Sequence, residues 1–387
     1  MAQKKKIILI ANYLPDKQQS MRLFAEMLER GFIKHGVSVE KWQPLVFLGI
    51  GQTTNRGFSK WLGYIDKWII FPPVLMLKVL LLKITGVECN YHICDHSNSF
   101  YLRFLPKNRT VITCHDVLAI RGAMGYADAY CPASYFGKIL QKNILKNLLN
   151  AKRIIAVSNF TYNQLNNLFL NSKSATINEK KDWTVIHNAF NGSFSVLDKN
   201  TVYERIAKAG IVNSVPYVLH VGASGKRKNR KLLVLMIDKL SGKWNGKIVF
   251  AGQAIDAELK ALITPKNLEY RVISLVRPNH ELLEALYNGC QAFIFPSYSE
   301  GFGWPVIEAQ ACGVPVIASN VEPMPEISGN AALHVNPDNA DDFANALLSL
   351  NNTEIRHGLI NKGFENCKRF EVDKFIIAYL KFHGLGD

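Results

Sequence analysis

The chain has 387 residues, of which 48% are hydrophobic and 20% charged, and this indicates a folded globular protein of about two or three domains. A formal net charge of +15 suits nucleic acid, an anionic membrane or phosphorylated ligands, but no zinc-finger spacing, RNA-binding motif or long basic arm favours nucleic acid. Seven cysteines without a CxxC pair predict reduced thiols in a cytoplasmic protein, and the apolar run at 7–11 is too short for a signal peptide.

The first half of the chain alternates short apolar runs with helical patterns. Ile7–Ala11 predicts a buried strand, and apolar positions three or four residues apart predict a helix over Met21–His35. Ser158 is a plausible N-cap for a helix that ends at Phe169. Further strands are predicted at 37–42, 91–94, 111–114, 154–157 and 184–187. This alternation predicts a doubly wound α/β domain that ends near residue 195.

The second half repeats the alternation. Strands are predicted at 217–221, 247–251, 273, 292–296 and 331–335, and helices at 231–240, 280–288 and 338–350. We therefore expect two α/β domains, residues 1–195 and 196–370, that face a central cleft. Sheets of this kind bind ligands outside the carboxyl ends of their strands, so the loops after the strands are the candidate sites.

Residues 295–320, FPSYSEGFGWPVIEAQACGVPVIASN, predict a strand end, a glycine-rich loop, a short helix and another strand. Pro305 suits the first turn of that helix, and Gly313 suits the position just past its end. Backbone N–H groups at the helix start favour a phosphate. Glu300 before the helix and Glu308 on it could bind hydroxyls on either side of that phosphate. A nucleotide-sugar, with ribose, diphosphate and sugar in that order, has this layout.

This stretch resembles the donor site of retaining glycosyltransferases of the GT-B fold, glycosyltransferase family 4, in which two glutamates have the spacing Glu-x7-Glu. The resemblance implies that Glu300 contacts the transferred sugar and that Glu308 holds the ribose hydroxyls. It implies that the backbone of the residues after Glu300 contacts sugar or phosphate; these are Gly301, Phe302, Gly303 and Trp304.

The resemblance also implies the fold. A GT-B protein has two Rossmann-like doubly wound α/β domains that face a cleft, and its last helix crosses back onto the first domain. The candidate for that helix is Val372–His383, within residues 371–384. The first domain would bind the acceptor and the second domain the nucleotide-sugar.

A basic loop, Gly222–Arg230, follows a predicted strand and opens a helix. It is either a solvated run of charge or a cationic cluster that neutralises a diphosphate leaving group. The resemblance favours the cluster, because Lys228 with the following asparagine matches the family's Lys-Asn pair. Ala223 stands where the family often has arginine, so Arg227 is the expected substitute. Gly222, Arg227 and Lys228 are thus predicted to bind the donor.

His115 and Asp116 end a strand of the first domain. A lone histidine there is often structural, but the resemblance implies that His115 hydrogen-bonds a sugar hydroxyl and that Asp116 orients the ring or meets the acceptor. Five further residues are predicted on the acceptor or sugar side: Gln18, Gln19, Ser20, Asp95 and His96.

The first three of these lie where the family often has a glycine pair, which this chain lacks, and Ser20 could instead cap the next helix. No Asp-x-Asp motif is present, which favours a mechanism without metal, and no cofactor is expected beyond the nucleotide-sugar substrate.

Residues 61–84, WLGYIDKWIIFPPVLMLKVLLLKI, approach the length of a membrane span. Asp66, Lys67 and a break expected at Pro72-Pro73 argue against spanning. The favoured interpretation is an amphipathic helix packed on the first domain, and the alternative is a face that rests on an anionic membrane.

Taken together, the motifs predict a cytoplasmic enzyme, peripheral on the inner face of the cell membrane, that transfers a sugar from a nucleotide-diphosphate sugar to a hydroxyl acceptor in polysaccharide or lipid-linked oligosaccharide synthesis. The alternatives are another GT-B activity, such as a nucleotide-sugar epimerase or a phosphorylase, and a catalytically silent sugar-nucleotide binder. A nicotinamide enzyme is disfavoured, because neither half has GxGxxG after its first strand.

Overall fold

The computed structural model describes residues 5–51, 53–54, 57, 59–172 and 181–386. These residues form two compact units. The first unit comprises the chain up to Gly125, then Ala133–Asn191 and the residues from Val372 onward. The second unit comprises Tyr126–Pro132 and Gly192–Glu371.

The elements are named in chain order. The strands are β1 (Lys6–Ile10), β2 (Ser38–Trp42), β3 (Asn90–Ile93), β4 (Thr110–Cys114), β5 (Arg153–Ala156), β6 (Asp182–Val185), β7 (Tyr217–Gly222), β8 (Lys247–Gly252), β9 (Val272–Val276), β10 (Ala292–Phe295), β11 (Val316–Ser319) and β12 (Ala332–Val335). The helices are α1 (Gln19–Lys34), α2 (Ser59–Ile65), α3 (Phe71–Ile84), α4 (Leu118–Ala123), α5 (Tyr135–Leu149), α6 (Asn159–Leu170), α7 (Lys199–Ala207), α8 (Arg230–Lys239), α9 (Ala257–Ile263), α10 (His280–Gly289), α11 (Trp304–Ala311), α12 (Met324–Ser328), α13 (Ala340–Ser349), α14 (Thr353–Cys367) and α15 (Val372–Phe382).

Each unit is built on a parallel sheet of six described strands. The order in the first unit is β2-β1-β3-β4-β5-β6, and in the second unit it is β12-β11-β10-β7-β8-β9. Counted from its own first strand and read from the β9 edge, the second sheet has the order 3-2-1-4-5-6, which is that of a dinucleotide-binding Rossmann fold. The strands are short and mostly apolar and buried, as expected for parallel strands with helices on both faces. The doubly wound α/β class expected from the sequence is therefore confirmed.

The last helix, α15, packs within the first unit. A side chain at Gly31 of α1 would collide with Ile376 of α15. Phe375 and Tyr379 lie edge-on to Phe24, with ring centroids 6.1 and 6.3 Å apart. The close approach of α1 and α15 therefore depends on the small residue at position 31, and the chain returns to its first unit as the resemblance implied.

The predicted strands are present, with ends shifted by one or two residues. The strand predicted at residue 273 is longer than expected and comprises the five residues of β9. Ser158 caps α6, as predicted, because its side chain accepts a hydrogen bond from the N–H of Thr161. Six helices were not predicted: α4, α5, α7, α9, α12 and α14. In α5 the apolar positions Tyr135, Phe136 and Ile139 are exposed, which obscures the helical period of its buried face.

The break expected at Pro72-Pro73 is wrong. Residues 59–84 run as one helical segment, in which a π-helical turn, Asp66–Ile70, joins α2 to α3. The two prolines occupy the first turn of α3, directly after that turn, where the widened backbone accommodates residues that lack an N–H donor. Among the described residues, no helix has both the length and the apolar character needed to cross a membrane.

Candidate functional site

The main candidate site lies in the second unit, at the point where its strand order reverses. Strands β7 and β10 are neighbours there, and the loops that follow them start at Gly222 and Phe295. In doubly wound sheets this reversal opens a crevice at the carboxyl ends of the strands, where ligands bind. Both loops carry residues that the sequence analysis predicted to bind a donor.

Glu300 and two cations from the β7 loop form a cluster around a buried carboxylate. Arg227 Nη1 donates to Glu300 Oε2 at 2.6 Å, and Lys228 Nζ lies 2.7 Å from Oε1. The whole residue Glu300 is only 7% exposed. Burial alone would raise the pKa of its carboxyl, but the charges of Lys228 and then Arg227 hold that pKa below its ordinary value. The carboxylate is therefore ionised and pairs with both cations, so the cluster keeps a net positive charge.

The backbone of the basic loop is fixed by hydrogen bonds to neighbouring loops. Tyr298 N–H donates to the carbonyl oxygen of Arg227 at 2.8 Å. Asn229, in a left-handed conformation with φ of 49°, donates from its side chain to the carbonyl oxygen of Pro337 at 2.6 Å. The two residues of the Lys-Asn pair thus have different roles, because Lys228 carries the charge and Asn229 shapes the turn into α8.

Glu308 has a different partner. It lies on α11, and its Oε2 accepts a hydrogen bond from the hydroxyl of Tyr287 at 2.8 Å. Burial raises the pKa of this carboxyl from 4.5 to about 7, and the Tyr287 hydrogen bond only partly opposes that effect. Near neutral pH the carboxyl of Glu308 is therefore divided between its two protonation states.

The local structure around α11 agrees with the sequence pattern. Pro305 is in the first turn, and Gly313 follows the helix with a φ of 69°. Gly303 precedes the helix with a φ of 108°, which favours glycine. The ring of Phe302 lies edge-on to those of Trp304 and Phe370, at 5.8 and 5.7 Å. The aromatic packing of Phe302 thus helps to hold the loop after Glu300.

A second polar cluster lies in the first unit, where β1 and β3 are neighbours at the reversal of that sheet's order. Asn12 follows β1 and donates to Asp95 Oδ2 at 2.6 Å, and it also donates to Gln18. His96 Nδ1 lies 3.4 Å from Asp95 Oδ1. Asn98 donates to Asn12 Oδ1 at 3.0 Å. The structure thus brings together three of the predicted residues, and it adds Asn12, which sequence reasoning missed.

The sequence feature that could have identified Asn12 as a site residue is its position directly after the first strand, in the loop that leads to Gln18. Its partner Asp95 is 83 residues away along the chain. Gln19 and Ser20 are inside the first turn of α1, which begins at Gln19, so the alternative that Ser20 caps this helix is wrong. The residue at the cap position is Gln18, and its side chain makes no capping hydrogen bond.

His115 follows β4 and is held on two sides. Its Nε2 lies 2.9 Å from the carbonyl oxygen of Cys94, and its ring is edge-on to Phe24 at 4.6 Å. Because a carbonyl only accepts, Nε2 carries the proton and Nδ1 is the acceptor nitrogen of the neutral ring. Burial lowers the pKa of His115, with the charge of Asp95 opposing that effect.

Asp116 has a local partner, since its Oδ1 accepts from the N–H of Leu118 at 3.0 Å, at the start of α4. The contacts described for His115, by contrast, orient its ring through Cys94 and Phe24. Asp116 therefore shapes the start of α4, and a role toward an acceptor would come in addition to this one.

Comparison with known proteins shows which proteins this chain resembles. Residues 203–366 match the family model described as glycosyl transferases group 1. The chain is 28% identical over 282 residues to O-antigen chain mannosyltransferase B of Escherichia coli, which covers 71% of this chain and 70% of that protein. It is 28% identical over 246 residues to O-antigen chain mannosyltransferase RfbU of Salmonella typhimurium, which covers 64% of this chain and 62% of that protein.

Solved structures show the same two-unit architecture. Sucrose-phosphate synthase from Thermosynechococcus elongatus superposes with a TM-score of 0.71 at 20% identity over 98% of both chains. Anabaena HepE in complex with UDP and glucose gives 0.69 at 15% identity, over 97% of this chain and 98% of that chain. The protein thus has the GT-B fold. Its second unit, over residues 203–366, is similar to the group 1 glycosyltransferases.

Proposed function

We propose that this protein is a retaining glycosyltransferase of family 4 that transfers a sugar from a nucleotide-diphosphate sugar to a hydroxyl of a growing polysaccharide or lipid-linked oligosaccharide. The observation that carries the proposal is the cluster of Arg227, Lys228 and Glu300 at the reversal of the second sheet. Two cations beside one buried carboxylate provide complementary partners for a diphosphate and for sugar hydroxyls. The relatives that act on O-antigen chains support a polysaccharide acceptor.

In this proposal the two cations neutralise the diphosphate as it leaves. Negative charge develops on the leaving oxygen when the bond to the anomeric carbon breaks, and fixed cations in a dry site stabilise that charge without reorganising. Glu300 turns to the hydroxyls of the transferred sugar. Glu308 binds the ribose hydroxyls, and the backbone of Gly301–Trp304 together with Gly222 borders the phosphates.

The acceptor hydroxyl attacks from the face that the diphosphate leaves. The bond from the anomeric carbon to the phosphate oxygen breaks, the bond to the acceptor oxygen forms on the same face, and the acceptor proton passes to the leaving phosphate oxygen. This route retains the anomeric configuration and needs no protein nucleophile. It also needs no metal, because Arg227 and Lys228 supply the positive charge; the missing Asp-x-Asp motif supports this point.

The first unit would provide the acceptor side. We assign to His115 a hydrogen bond with a hydroxyl of the sugar, and its neutral ring suits that role because Nδ1 accepts. Gln18, Gln19, Ser20, Asp95, His96 and Asp116 would line the acceptor or sugar region of this unit. We also propose that the enzyme is cytoplasmic and works at the inner face of the cell membrane, where lipid-linked acceptors are exposed.

A thermal-shift panel of nucleoside diphosphates and their sugars, run without metal, tests the donor assignment. A ligand that binds only the folded protein raises the melting temperature with the logarithm of its concentration. We expect one base to give the largest shift, and the Glu300→Gln variant to lose the extra shift that the sugar adds to it. Equal shifts for diphosphate and nucleotide-sugar in both proteins would contradict the role of Glu300.

A further inference from the structure

Helix α3 exposes an unusual amount of apolar surface. Of its 14 residues only Phe71, Pro72 and Leu75 are buried. Leu77 is 57% exposed, Leu80 51% and Ile84 71%, and Ile69 in the preceding π-helical turn is 66% exposed. Scattered exposed leucines are normal on a protein surface, but a continuous patch of this kind marks a surface that binds something.

These side chains form one stripe. Ile69, Leu77, Leu80 and Ile84 follow one another at spacings close to whole helical turns, so their side chains lie on one side of the helical segment. At 1.5 Å per residue the stripe is about 22 Å long. It faces away from the core, because the buried residues of α3 lie on its opposite side.

Two exposed aromatic side chains add to the apolar surface of this helical segment. Trp61 of α2 is 49% exposed and lies edge-on to Phe136 of α5, with ring centroids 5.6 Å apart. Phe136 is itself 64% exposed. We call the surface formed by Trp61, Phe136 and the stripe from Ile69 to Ile84 the apolar face. It joins the side of α2 and α3 to the start of α5.

Lysines outnumber acidic residues in the elements that carry the apolar face. Residues 59–88 contain four lysines, of which Lys67 is largely buried beside Asp16, and two acidic residues: the fully buried Asp66 and the exposed Glu88, which pairs with Arg109. Helix α5 contains three more lysines and no acidic residue; these lysines are Lys138, Lys142 and Lys146. An exposed apolar stripe with a lysine border and an aromatic edge matches the interface of a bilayer that carries anionic lipids.

The same charges argue against a second copy of this chain as the occupant. A symmetric dimer through the apolar face would bring two lysine-rich surfaces together, and like charges across an interface are unfavourable. An anionic bilayer instead accepts the apolar side chains among its acyl chains and the lysines among its phosphates.

We propose that the apolar face docks on an anionic lipid bilayer, with α2 and α3 lying along the membrane surface. This inference extends the peripheral location proposed above, and its relevance to glycosyl transfer rests on the proposed function. Lipid binding itself is measured without any sugar transfer. The docked helices are tied to the candidate acceptor side, since Lys67 in the π-helical turn pairs with Asp16 in the β1–α1 loop at 2.7 Å. Membrane docking would thus fix the loop that leads to Gln18.

Flotation of the full chain with vesicles tests the proposal. Vesicles of phosphatidylcholine alone are compared with vesicles that also contain phosphatidylglycerol. We expect the protein to float with the anionic vesicles and the double variant Leu77→Glu/Leu80→Glu to lose at least about tenfold in partitioning, because two apolar side chains that enter the bilayer are replaced by carboxylates. The control is Val212→Glu/Tyr270→Glu, which changes two exposed residues of the second unit and should float like the wild type.

Three outcomes would overturn the proposal: no flotation with anionic vesicles, equal flotation of the two double variants, or equal flotation with neutral vesicles. A dimer in solution that Leu77→Glu/Leu80→Glu converts to a monomer would also overturn it, because the face would then bind protein. The substituted leucines are more than half exposed, so both variants should melt like the wild type. Vesicle binding without any sugar transfer would leave this inference standing and refute the proposed function.

Discussion

At the scale of single residues, Glu300 is the group on which the site depends. Its carboxylate pairs with Arg227 and Lys228 in a place with little access to water and leaves one positive charge in excess. A bound diphosphate could replace it as their counterion and release it toward the sugar. In the proposed function, the donor diphosphate takes the place that Glu300 holds beside the two cations.

Glu300→Gln should abolish most transfer while improving the binding of inorganic pyrophosphate. The neutral amide removes the negative charge that pairs with Arg227 and Lys228, which should lower the free energy of unfolding by about 3 kcal/mol. Pyrophosphate should restore that loss and bind more tightly than to the wild type by isothermal titration calorimetry. The matched control is Glu204→Gln, which removes the exposed partner of Lys208. Weaker pyrophosphate binding by Glu300→Gln than by the control would contradict this account.

Glu308 predicts a pH dependence of stability. Burial raises the pKa of its carboxyl from 4.5 to about 7, so between these pH values the folded protein holds a proton that the unfolded chain has released. The free energy of unfolding contributed by this group therefore falls as pH rises through that window. We compare the free energy of unfolding of Glu308→Gln with that of the wild type at two pH values. From pH 4.5 to pH 8 this difference should shift in favour of the variant by about 3 kcal/mol. Urea unfolding at both pH values measures the difference, and an equal effect at both would contradict the assignment.

The sequence predicted these residues better than it predicted Asn12. Glu300, Glu308 and Lys228 lie in patterns of fixed spacing, which is local information. Asn12 gains its importance only because β1 and β3 are neighbours, which brings it to Asp95, and no local pattern contains that pairing. Ser20 shows the opposite error, since a good capping residue lies inside the helix and not at its cap position.

At the scale of elements, a buried polar network holds α15 on the first sheet. His92 Nδ1 lies 3.0 Å from His383 Nε2, just after α15, and His92 Nε2 lies 3.0 Å from the hydroxyl of Thr113. The Thr113 hydroxyl is 3.2 Å from that of Tyr379 on α15. Burial lowers the pKa of both histidines, and that of His383 falls from 6.5 to about 3.

This network predicts that acid loosens the last helix. Below pH 6.5 the unfolded chain binds a proton at His383 that the folded protein does not bind until about pH 3. The free energy of unfolding therefore falls by about 1.4 kcal/mol for each pH unit lost in that window, opposite in sign to the Glu308 effect. In His383→Gln the free energy of unfolding should fall less steeply on acidification than in the wild type, and the two slopes should differ by the amount just given. Urea titrations from pH 4 to pH 7 measure it, and unchanged slopes would contradict the prediction.

Asp66 joins the helical segment 59–84 to the loop before it. Its buried carboxylate accepts hydrogen bonds from the Tyr13 hydroxyl and from the N–H groups of Phe47, Leu48 and Gly49, at 3.0–3.1 Å for the N–H groups. Burial opposes ionisation, but these donors hold the pKa of Asp66 below its usual value.

Asp66→Asn should lower the free energy of unfolding by about 3 kcal/mol, because an amide cannot accept all these bonds and places its own N–H groups against donors. Asp373→Asn, which changes an exposed carboxylate, is the control and should have little effect. Chemical denaturation measures both changes. Equal stability of the two variants would contradict the role of Asp66.

Sequence reasoning identified Asp66 and missed the geometry of its segment. The apolar character of 61–84 was visible, but the prolines indicated a break, because a simple hydrophobic period does not encode a π-helical turn that can accommodate them. In α5 the exposed Tyr135 and Phe136 obscured the helix. Both failures occur where apolar residues face outward, in the part of the first unit that carries the apolar face.

At the scale of the whole molecule, the alternation of strands and helices predicted two α/β units, and each has its parallel sheet. The order of strands could not be read from the chain, because it depends on which crossover packs on which face. That order determines the sites, since β7 and β10 bring together Lys228 and Glu300 from loops that are distant along the chain. The net charge of +15 was likewise visible, while the position of lysines beside an apolar face required the structure.

The most direct test of the central claim is a transfer assay with the donor that the thermal-shift panel selects and an acceptor extracted from polysaccharide-forming membranes. The product linkage is read by NMR, without added metal and with chelator present. We predict a glycosidic product that keeps the anomeric configuration of the donor, formed by the wild type and reduced at least about a hundredfold in Glu300→Gln. A product of inverted configuration, or equal turnover by Glu300→Gln, would contradict the account.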